Sequence, residues 1–146
     1  MRALLDTSVL ISGQPPLDVD AAISVASLAE LYFGALIAAD DDERAIRTER
    51  LGAIESTFDP LPITAEIARE WGRLAAAVSQ RGGQPRRRAI DLAIAATANL
   101  HRVPLLTYDT GDFQIISDLT DAQAAYEFKP PQPEGDTETA TDTERS

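Results

Sequence analysis

The chain has 146 residues, no cysteine, and a formal net charge of −11 that arises from 13 basic and 24 acidic side chains. This length suits a single domain with one sizeable core, and the lack of cysteine excludes a disulfide scaffold, a thiolate metal site and a cysteine nucleophile. The acidity argues against nonspecific binding of nucleic acid over the whole surface, but it permits a carboxylate cluster that binds metal cations.

The sequence shows no sign of membrane insertion or secretion. No apolar run approaches the roughly 20 residues that a membrane helix needs, and the first residues contain too few apolar side chains for a signal peptide. We therefore expect a cytoplasmic protein without membrane association, which the lack of cysteine also suits.

Short apolar runs alternate with longer stretches of helical periodicity along residues 1–128. The apolar runs predict strands at 3–5, 21–26, 61–63, 103–107 and 126–128. The helical periodicity predicts helices from residue 27 onward and at 43–57, 65–80 and 89–100, and Thr64 is a plausible N-cap for the third of them. Because strands separated by helices need crossover connections, we predict an α/β fold: a three-layer α/β/α sandwich with a mostly parallel central sheet.

Residues 129–146 differ in composition from the rest. This segment has three prolines, five acids, two bases and no large apolar side chain. Such a sequence cannot bury enough apolar surface to offset the entropy of ordering. We predict a folded domain over residues 1–128 and a disordered, acidic, proline-rich tail over residues 129–146.

Two acids follow predicted strands directly. Asp6 comes after the first strand, and Asp109 comes just after the strand that ends at Thr107. In open α/β sheets, ligands bind outside the carboxyl ends of the strands, so both carboxylates are expected at the same edge. Taken singly, each acid could equally cap a turn or a helix.

Two further acids stand near predicted helix starts. Ser27 and Glu30 fit a capping box, and Asp91 in a first helical turn suits the helix dipole, so either acid alone has a structural explanation. That explanation is weaker for Asp91, because its helix is otherwise almost wholly apolar and a carboxylate there is costly to bury.

The four acids together favour a metal site. Unpaired carboxylates repel one another, and an oxygen-preferring cation such as Mg²⁺ relieves the repulsion while leaving positions for phosphate oxygens. Two such ions could activate a water and stabilise the leaving oxygen in phosphodiester cleavage. Thr7, Ser8 and Thr107 carry hydroxyls that could position a ligand or a water at this edge.

The four acids lie in four short segments: 5–10 (LDTSVL), 27–34 (SLAELYFG), 91–98 (DLAIAATA) and 105–113 (LLTYDTGDF). These segments resemble the motifs of PIN-domain ribonucleases, most closely VapC-type toxins of toxin–antitoxin pairs. They occur in family order across nearly all of residues 1–128, and the set of four is more specific than any one of them.

The resemblance implies a Mg²⁺- or Mn²⁺-dependent endoribonuclease that is inhibited by a cognate antitoxin and forms a homodimer. Its substrate would be RNA, whether tRNA, rRNA or mRNA. It also implies an acidic site formed by Asp6, Glu30, Asp91 and Asp109, with Asp6, Asp91 and Asp109 as metal ligands. Either Asp109 or Asp112 could be the fourth acid; we rank Asp109 first because it lies closer to the strand end, with Asp112 as a supporting residue.

Three consecutive arginines, Arg86, Arg87 and Arg88, stand directly before the helix that carries Asp91. They are candidate RNA-binding residues that could contact phosphates, although a solvated basic loop is an equally simple explanation. Two other functions stay open. A haloacid-dehalogenase-like phosphatase using Asp6 would need a second Asp where Ser8 stands, and a PIN-like module could bind a partner without catalysis.

Overall fold

Four parallel strands form the centre of the computed structural model, which describes residues 1–12 and 20–126. The strands are β1 (Ala3–Leu5), β2 (Ala21–Ala22), β3 (Leu105–Thr107) and β4 (Ala122–Ala124), in the spatial order β2-β1-β3-β4. Every pairing is parallel, with Leu4 opposite Leu105 and Leu105 opposite Ala122.

Helices connect the strands and cover the sheet. They are α1 (Thr7–Ile11), α2 (Val25–Leu36), α3 (Asp41–Thr57), α4 (Ala65–Gln80), α5 (Ala89–His101) and a 3-10 helix (Thr110–Ile116). Within residues 1–12 and 20–126, no helix is long and apolar enough to cross a membrane.

The two faces of the sheet bury two separate cores. Leu4 and Leu105 point into one core, which α4, α5 and the 3-10 helix close. Leu5 and Leu106, the next residue on each strand, point into the other core together with α1, α2 and α3. Successive strand residues face opposite sides of a sheet, so this alternation produces the predicted three-layer α/β/α sandwich.

Several predicted elements are confirmed. The first strand and the helix over 65–80 have the predicted bounds, and Thr64 caps the helix by accepting a hydrogen bond from the Ile67 amide at 3.2 Å. The Ala-rich helix, α5, is buried over seven consecutive residues, 92–98, as expected for a helix that is apolar around most of its girth.

The prediction of a strand over 21–26 and a capping box at Ser27 is wrong. Strand β2 has only two residues, and α2 begins at Val25 because the Ser24 hydroxyl accepts a hydrogen bond from the Ala26 amide at 3.0 Å. Ser24 is thus the N-cap, and Ser27 is a buried residue inside the helix. Glu30 therefore lies in the second turn, where it satisfies no free amide at the helix start.

The late edge strand also lies elsewhere than predicted. Strand β4 is Ala122–Ala124, and Tyr126 lies in the turn after it. An edge strand of small residues carries little apolar signal, since backbone pairing with β3 defines it. Residues 127 and 128, and the predicted tail over residues 129–146, lie outside the described residues.

Candidate active site

Parallel pairing of β1 and β3 brings the two strand ends together. Leu5 lies opposite Leu106, and the Asp6 amide donates to the Leu106 carbonyl at 2.9 Å. Asp6 follows β1, and Thr107 ends β3 at the same edge of the sheet. Both side chains are buried, as expected for groups enclosed between strand ends and helices.

Two hydroxyls hold the Asp6 carboxylate. Ser8 Oγ donates to Asp6 Oδ2 at 2.9 Å, and Thr107 Oγ1 donates to the same oxygen at 2.8 Å. The Asp6 side chain makes no capping hydrogen bond to α1, although the residue stands at the N-cap position. Its orientation is therefore fixed toward the site by these hydroxyls rather than by the helix.

Backbone amides orient the same two hydroxyls. The Tyr108 amide donates to Ser8 Oγ at 3.0 Å, and the Asp109 amide donates to Thr107 Oγ1 at 2.9 Å. Each hydroxyl oxygen thus has an acceptor position filled by an amide, and its single proton is available for Asp6. The chain after β3 therefore helps to fix a carboxylate that follows β1.

Glu30 reaches the site from α2. Thr7 Oγ1 donates to Glu30 Oε1 at 2.8 Å and lies 3.1 Å from Ser27 Oγ. Burial raises the pKa of Glu30; the Thr7 hydrogen bond opposes this shift, and the charge of Asp6 adds to it.

Asp91 lies in the first turn of α5, and its pKa is raised to about 7. Burial is the largest cause, followed by the negative charges of Asp6, Asp112 and Glu30, while the nearby Arg88 acts in the opposite direction. The structure thus brings four carboxylates into one electrostatic cluster, which we call the acidic cluster: Asp6, Glu30, Asp91 and Asp112.

The two acids that follow β3 are placed differently. The 3-10 helix turns the chain back, so the Asp112 amide donates to the Asp109 carbonyl at 3.0 Å and the charge of Asp112 acts on Asp91. Asp109 is exposed at the start of this short helix and makes no capping hydrogen bond with its side chain. The sequence shows only that Asp109 stands closer to the strand end than Asp112. It does not show the turn that the chain makes between them.

Of the three arginines, Arg88 contacts the site region directly. Arg88 Nη1 donates to the Asp112 backbone carbonyl, and the charge of Arg88 acts on Asp91. Arg86 and Arg87 are exposed in the turn before α5. All three lie next to the helix start that carries Asp91.

The family model of the PIN domain matches residues 3–119 of this sequence. The chain belongs to the PIN domain family. Among curated proteins, it is 38% identical over 115 residues to "Ribonuclease VapC5" of Mycobacterium tuberculosis, a match that covers 73% of this chain and 82% of that relative. It is 35% identical over 102 residues to "Ribonuclease VapC8" of the same species, covering 66% of this chain and 90% of the relative.

Solved structures show the same fold. The VapBC-5 toxin–antitoxin structure from Mycobacterium tuberculosis matches with a TM-score of 0.69 and 32% identity, covering 85% of this chain and 98% of the matched chain. FitAcB from Neisseria gonorrhoeae matches with a TM-score of 0.68 and 24% identity, covering 86% and 99%. The resemblance to VapC-type PIN domains, and the fold that it implies, are confirmed.

The donor set of this PIN domain suits an oxygen-preferring divalent cation. The acidic cluster offers only carboxylates, and hydroxyls of Thr7, Ser8 and Thr107 surround two of them. Within the described ranges, no three Asp, Glu or His side chains come close enough to form a ready-made metal-binding group. A cation would therefore have to draw the carboxylates together, and its positive charge would offset their mutual repulsion.

Proposed function

We propose that this PIN-domain protein is a metal-dependent endoribonuclease and the toxin of a type II toxin–antitoxin pair. The observation that carries the proposal is that the four carboxylates of the acidic cluster lie within reach of one another's charge, and that burial and these like charges raise the pKa of Asp91 to about 7. A divalent cation would relieve this repulsion. The two curated relatives are named as ribonucleases, which supports RNA as the substrate.

Asp6, Asp91 and Asp112 are the residues that we propose to hold Mg²⁺ or Mn²⁺, with Asp109 as the other candidate for the third position. Asp112 is favoured because its charge acts on Asp91. When bound, the metal would supply an activated water and a stabilising charge for the leaving oxygen.

The remaining polar groups have proposed roles that follow from their contacts. Ser8 and Thr107 keep Asp6 Oδ2 in place, so the carboxylate is pre-organised before the substrate arrives. Glu30, held by Thr7, would orient the attacking water. Arg86, Arg87 and Arg88 would contact RNA phosphates beside the cluster.

An antitoxin is the proposed protein partner. Three large apolar side chains of α2 and its C-terminal end are exposed: Phe33 by 64%, Leu36 by 72% and Ile37 by 60%. We call them the α2 apolar face. An exposed apolar cluster of this kind marks a protein-binding surface, and the solved relatives include toxin–antitoxin complexes. The net charge of −11 would attract a basic antitoxin segment. The homodimer implied by the family resemblance stays a prediction.

The test is RNA cleavage by the purified full chain, free of antitoxin. We expect cleavage with Mg²⁺ or Mn²⁺, none with EDTA, and loss of cleavage in Asp6→Asn and in Asp91→Asn, both of which should stay folded. Asp59→Asn, which changes an exposed acid away from the cluster, is the matched control. Undiminished cleavage by both Asp6→Asn and Asp91→Asn would contradict the proposed ribonuclease function.

Two results would instead favour the alternatives. A covalent acyl-phosphate on Asp6 after incubation with small phosphoesters would indicate the phosphatase function. RNA or antitoxin binding without cleavage under any of these metal conditions would indicate a non-catalytic PIN-like module.

A further inference from the structure

Two tyrosines form a stacked pair near the candidate active site. The ring centroids of Tyr108 and Tyr126 lie 6.5 Å apart, and the ring planes differ by 7°. Tyr108 directly follows β3, and Tyr126 lies in the turn after β4. Because β3 and β4 pair in parallel, both rings lie at the carboxyl edge of the sheet, the edge that also carries Asp6.

The backbone of Tyr108 is tied directly to the acidic cluster. Its amide donates to Ser8 Oγ at 3.0 Å, and Ser8 Oγ donates to Asp6 Oδ2 at 2.9 Å. Two hydrogen bonds therefore separate the inner tyrosine from a proposed metal ligand. The Tyr108 backbone cannot move far from the cluster without breaking these hydrogen bonds.

Neither ring is a core residue. Tyr108 is 38% exposed and Tyr126 is 73% exposed. Their centroid separation is near the long end of the roughly 4.5–7 Å range for aromatic pairs. The contact thus sets the orientation of Tyr126 while leaving most of its ring open to solvent.

We propose that Tyr126, oriented by stacking on Tyr108, is a platform for one base of a single-stranded RNA substrate. This inference rests on the proposed ribonuclease function and adds a substrate-positioning residue to it. A flat exposed ring binds an unstacked base of any identity, whereas bases in a duplex are already stacked on their neighbours. Arg86 and Arg87, exposed in the turn before the helix that carries Asp91, would hold the backbone phosphates while the tyrosine holds a base.

The test is RNA binding in EDTA, where no cleavage occurs, followed by cleavage in Mg²⁺. The variants are Tyr126→Leu, which removes the ring, Tyr126→Phe and Tyr126→Trp, which keep one, and Tyr32→Leu, which removes an exposed tyrosine on α2. The probes are a single-stranded oligonucleotide, a duplex of the same sequence, and a series of single strands with one abasic nucleotide at each position.

We expect Tyr126→Leu to weaken single-strand binding by about 5- to 150-fold, because one base–aromatic stack is worth about 1–3 kcal/mol. Tyr126→Phe and Tyr126→Trp should bind the single strand with an affinity within about twofold of the wild type, and Tyr32→Leu should not change this affinity. In the abasic series, loss of the base at one position should weaken binding to the wild type but not to Tyr126→Leu. The missing base and the missing ring are the two partners of the same stacking contact.

If the protein cleaves RNA but Tyr126→Leu binds the single strand as tightly as the wild type does, the role of Tyr126 as a platform is wrong. The proposed ribonuclease function would not be affected by that result. The platform would also be overturned if Tyr126→Leu lost as much affinity for the duplex as for the single strand, or if Tyr126→Phe lost as much affinity as Tyr126→Leu. A wild-type protein that neither binds nor cleaves RNA would overturn both proposals.

Discussion

Thr107 donates a 2.8 Å hydrogen bond to Oδ2 of Asp6, a residue 101 positions earlier in the chain. Both side chains are buried, and the Thr107 oxygen also accepts the Asp109 amide. A single hydroxyl therefore links the end of β1, the end of β3 and the loop that leads to Asp112.

Thr107→Val should lower RNA cleavage by about 10- to 100-fold, the usual effect of removing a group that orients a metal ligand. Valine keeps the shape but cannot donate to Asp6, so we expect the Mg²⁺ concentration for half-maximal activity to rise. Thr97→Val is the matched control, because Thr97 is buried in α5 and donates only to the Ala93 carbonyl. An unchanged Mg²⁺ dependence in Thr107→Val would contradict a positioning role.

The raised pKa of Asp91 predicts that the metal-free protein loses stability as the pH rises. The unfolded carboxyl titrates near 3.8 and the folded one near 7, so the folded state binds the proton more tightly between these values. Ionisation of Asp91 therefore lowers the free energy of unfolding. This loss is absent below about pH 4, grows as the pH rises, and is complete above pH 7.

Asp91→Asn removes this ionisation, so it should raise the free energy of unfolding at pH 8 by about 1–2 kcal/mol, a value reduced for screening by solvent. At pH 4, where Asp91 is protonated, the variant and the wild type should be alike. Urea unfolding in EDTA at both pH values measures the difference, and Asp59→Asn serves as the control. If Asp91→Asn raised the free energy of unfolding more at pH 4 than at pH 8, the pKa of Asp91 would not be raised in the folded state.

Asp112 and Asp109 can be separated by paired substitutions. Asp112→Asn should reduce cleavage at least about tenfold more than Asp109→Asn, because the charge of Asp112 acts on Asp91 whereas the Asp109 side chain is exposed. Cleavage rates at saturating Mg²⁺, with circular dichroism to verify folding, decide between them. The reverse order would restore Asp109 as the fourth acid.

Gly83 and Gly72 offer a matched test of packing around α4. A Cβ on Gly83 would lie 2.7 Å from both Ile115 Cδ1 and Val78 Cγ1, so Gly83→Ala should cost about 1–3 kcal/mol. A Cβ on Gly72, inside α4, meets nothing within 4 Å, so Gly72→Ala should stabilise by about 0.5–1 kcal/mol. Thermal unfolding of both variants should give shifts of opposite direction.

The α2 apolar face should bind the antitoxin. Leu36→Glu places a charge on its most exposed member, and we expect it to prevent co-purification with the protein encoded by an adjacent small reading frame. RNA cleavage should persist, because Leu36 is the last residue of α2 and its side chain is 72% exposed. Leu100→Glu, a change to a partly exposed leucine near the C-terminal end of α5, should leave co-purification intact. Retained binding by Leu36→Glu would exclude this surface.

Much of the fold followed from local patterns. Several predicted elements have a cause within a few residues, such as a cap or a burial period: Thr64 before a helical period, the buried Ala-rich stretch after Arg88, and the short apolar runs at 3–5 and 103–107. The last of these runs forms a strand only over Leu105–Thr107. The four motif segments were likewise enough to indicate, by resemblance, a PIN domain.

Other features depend on contacts between distant residues. Whether Ser24 or Ser27 caps α2 depends on where pairing with β1 ends, and α1 and the 3-10 helix are too short for a periodic signal. The tertiary structure alone brought Asp91 within reach of the charge of Asp112 and joined Thr107 to Asp6. Parallel strands meet only through long crossover connections, so no local sequence pattern records which residues share their edge. The sequence by itself thus determined the architecture and the set of candidate acids, and packing decided which of them act on one another.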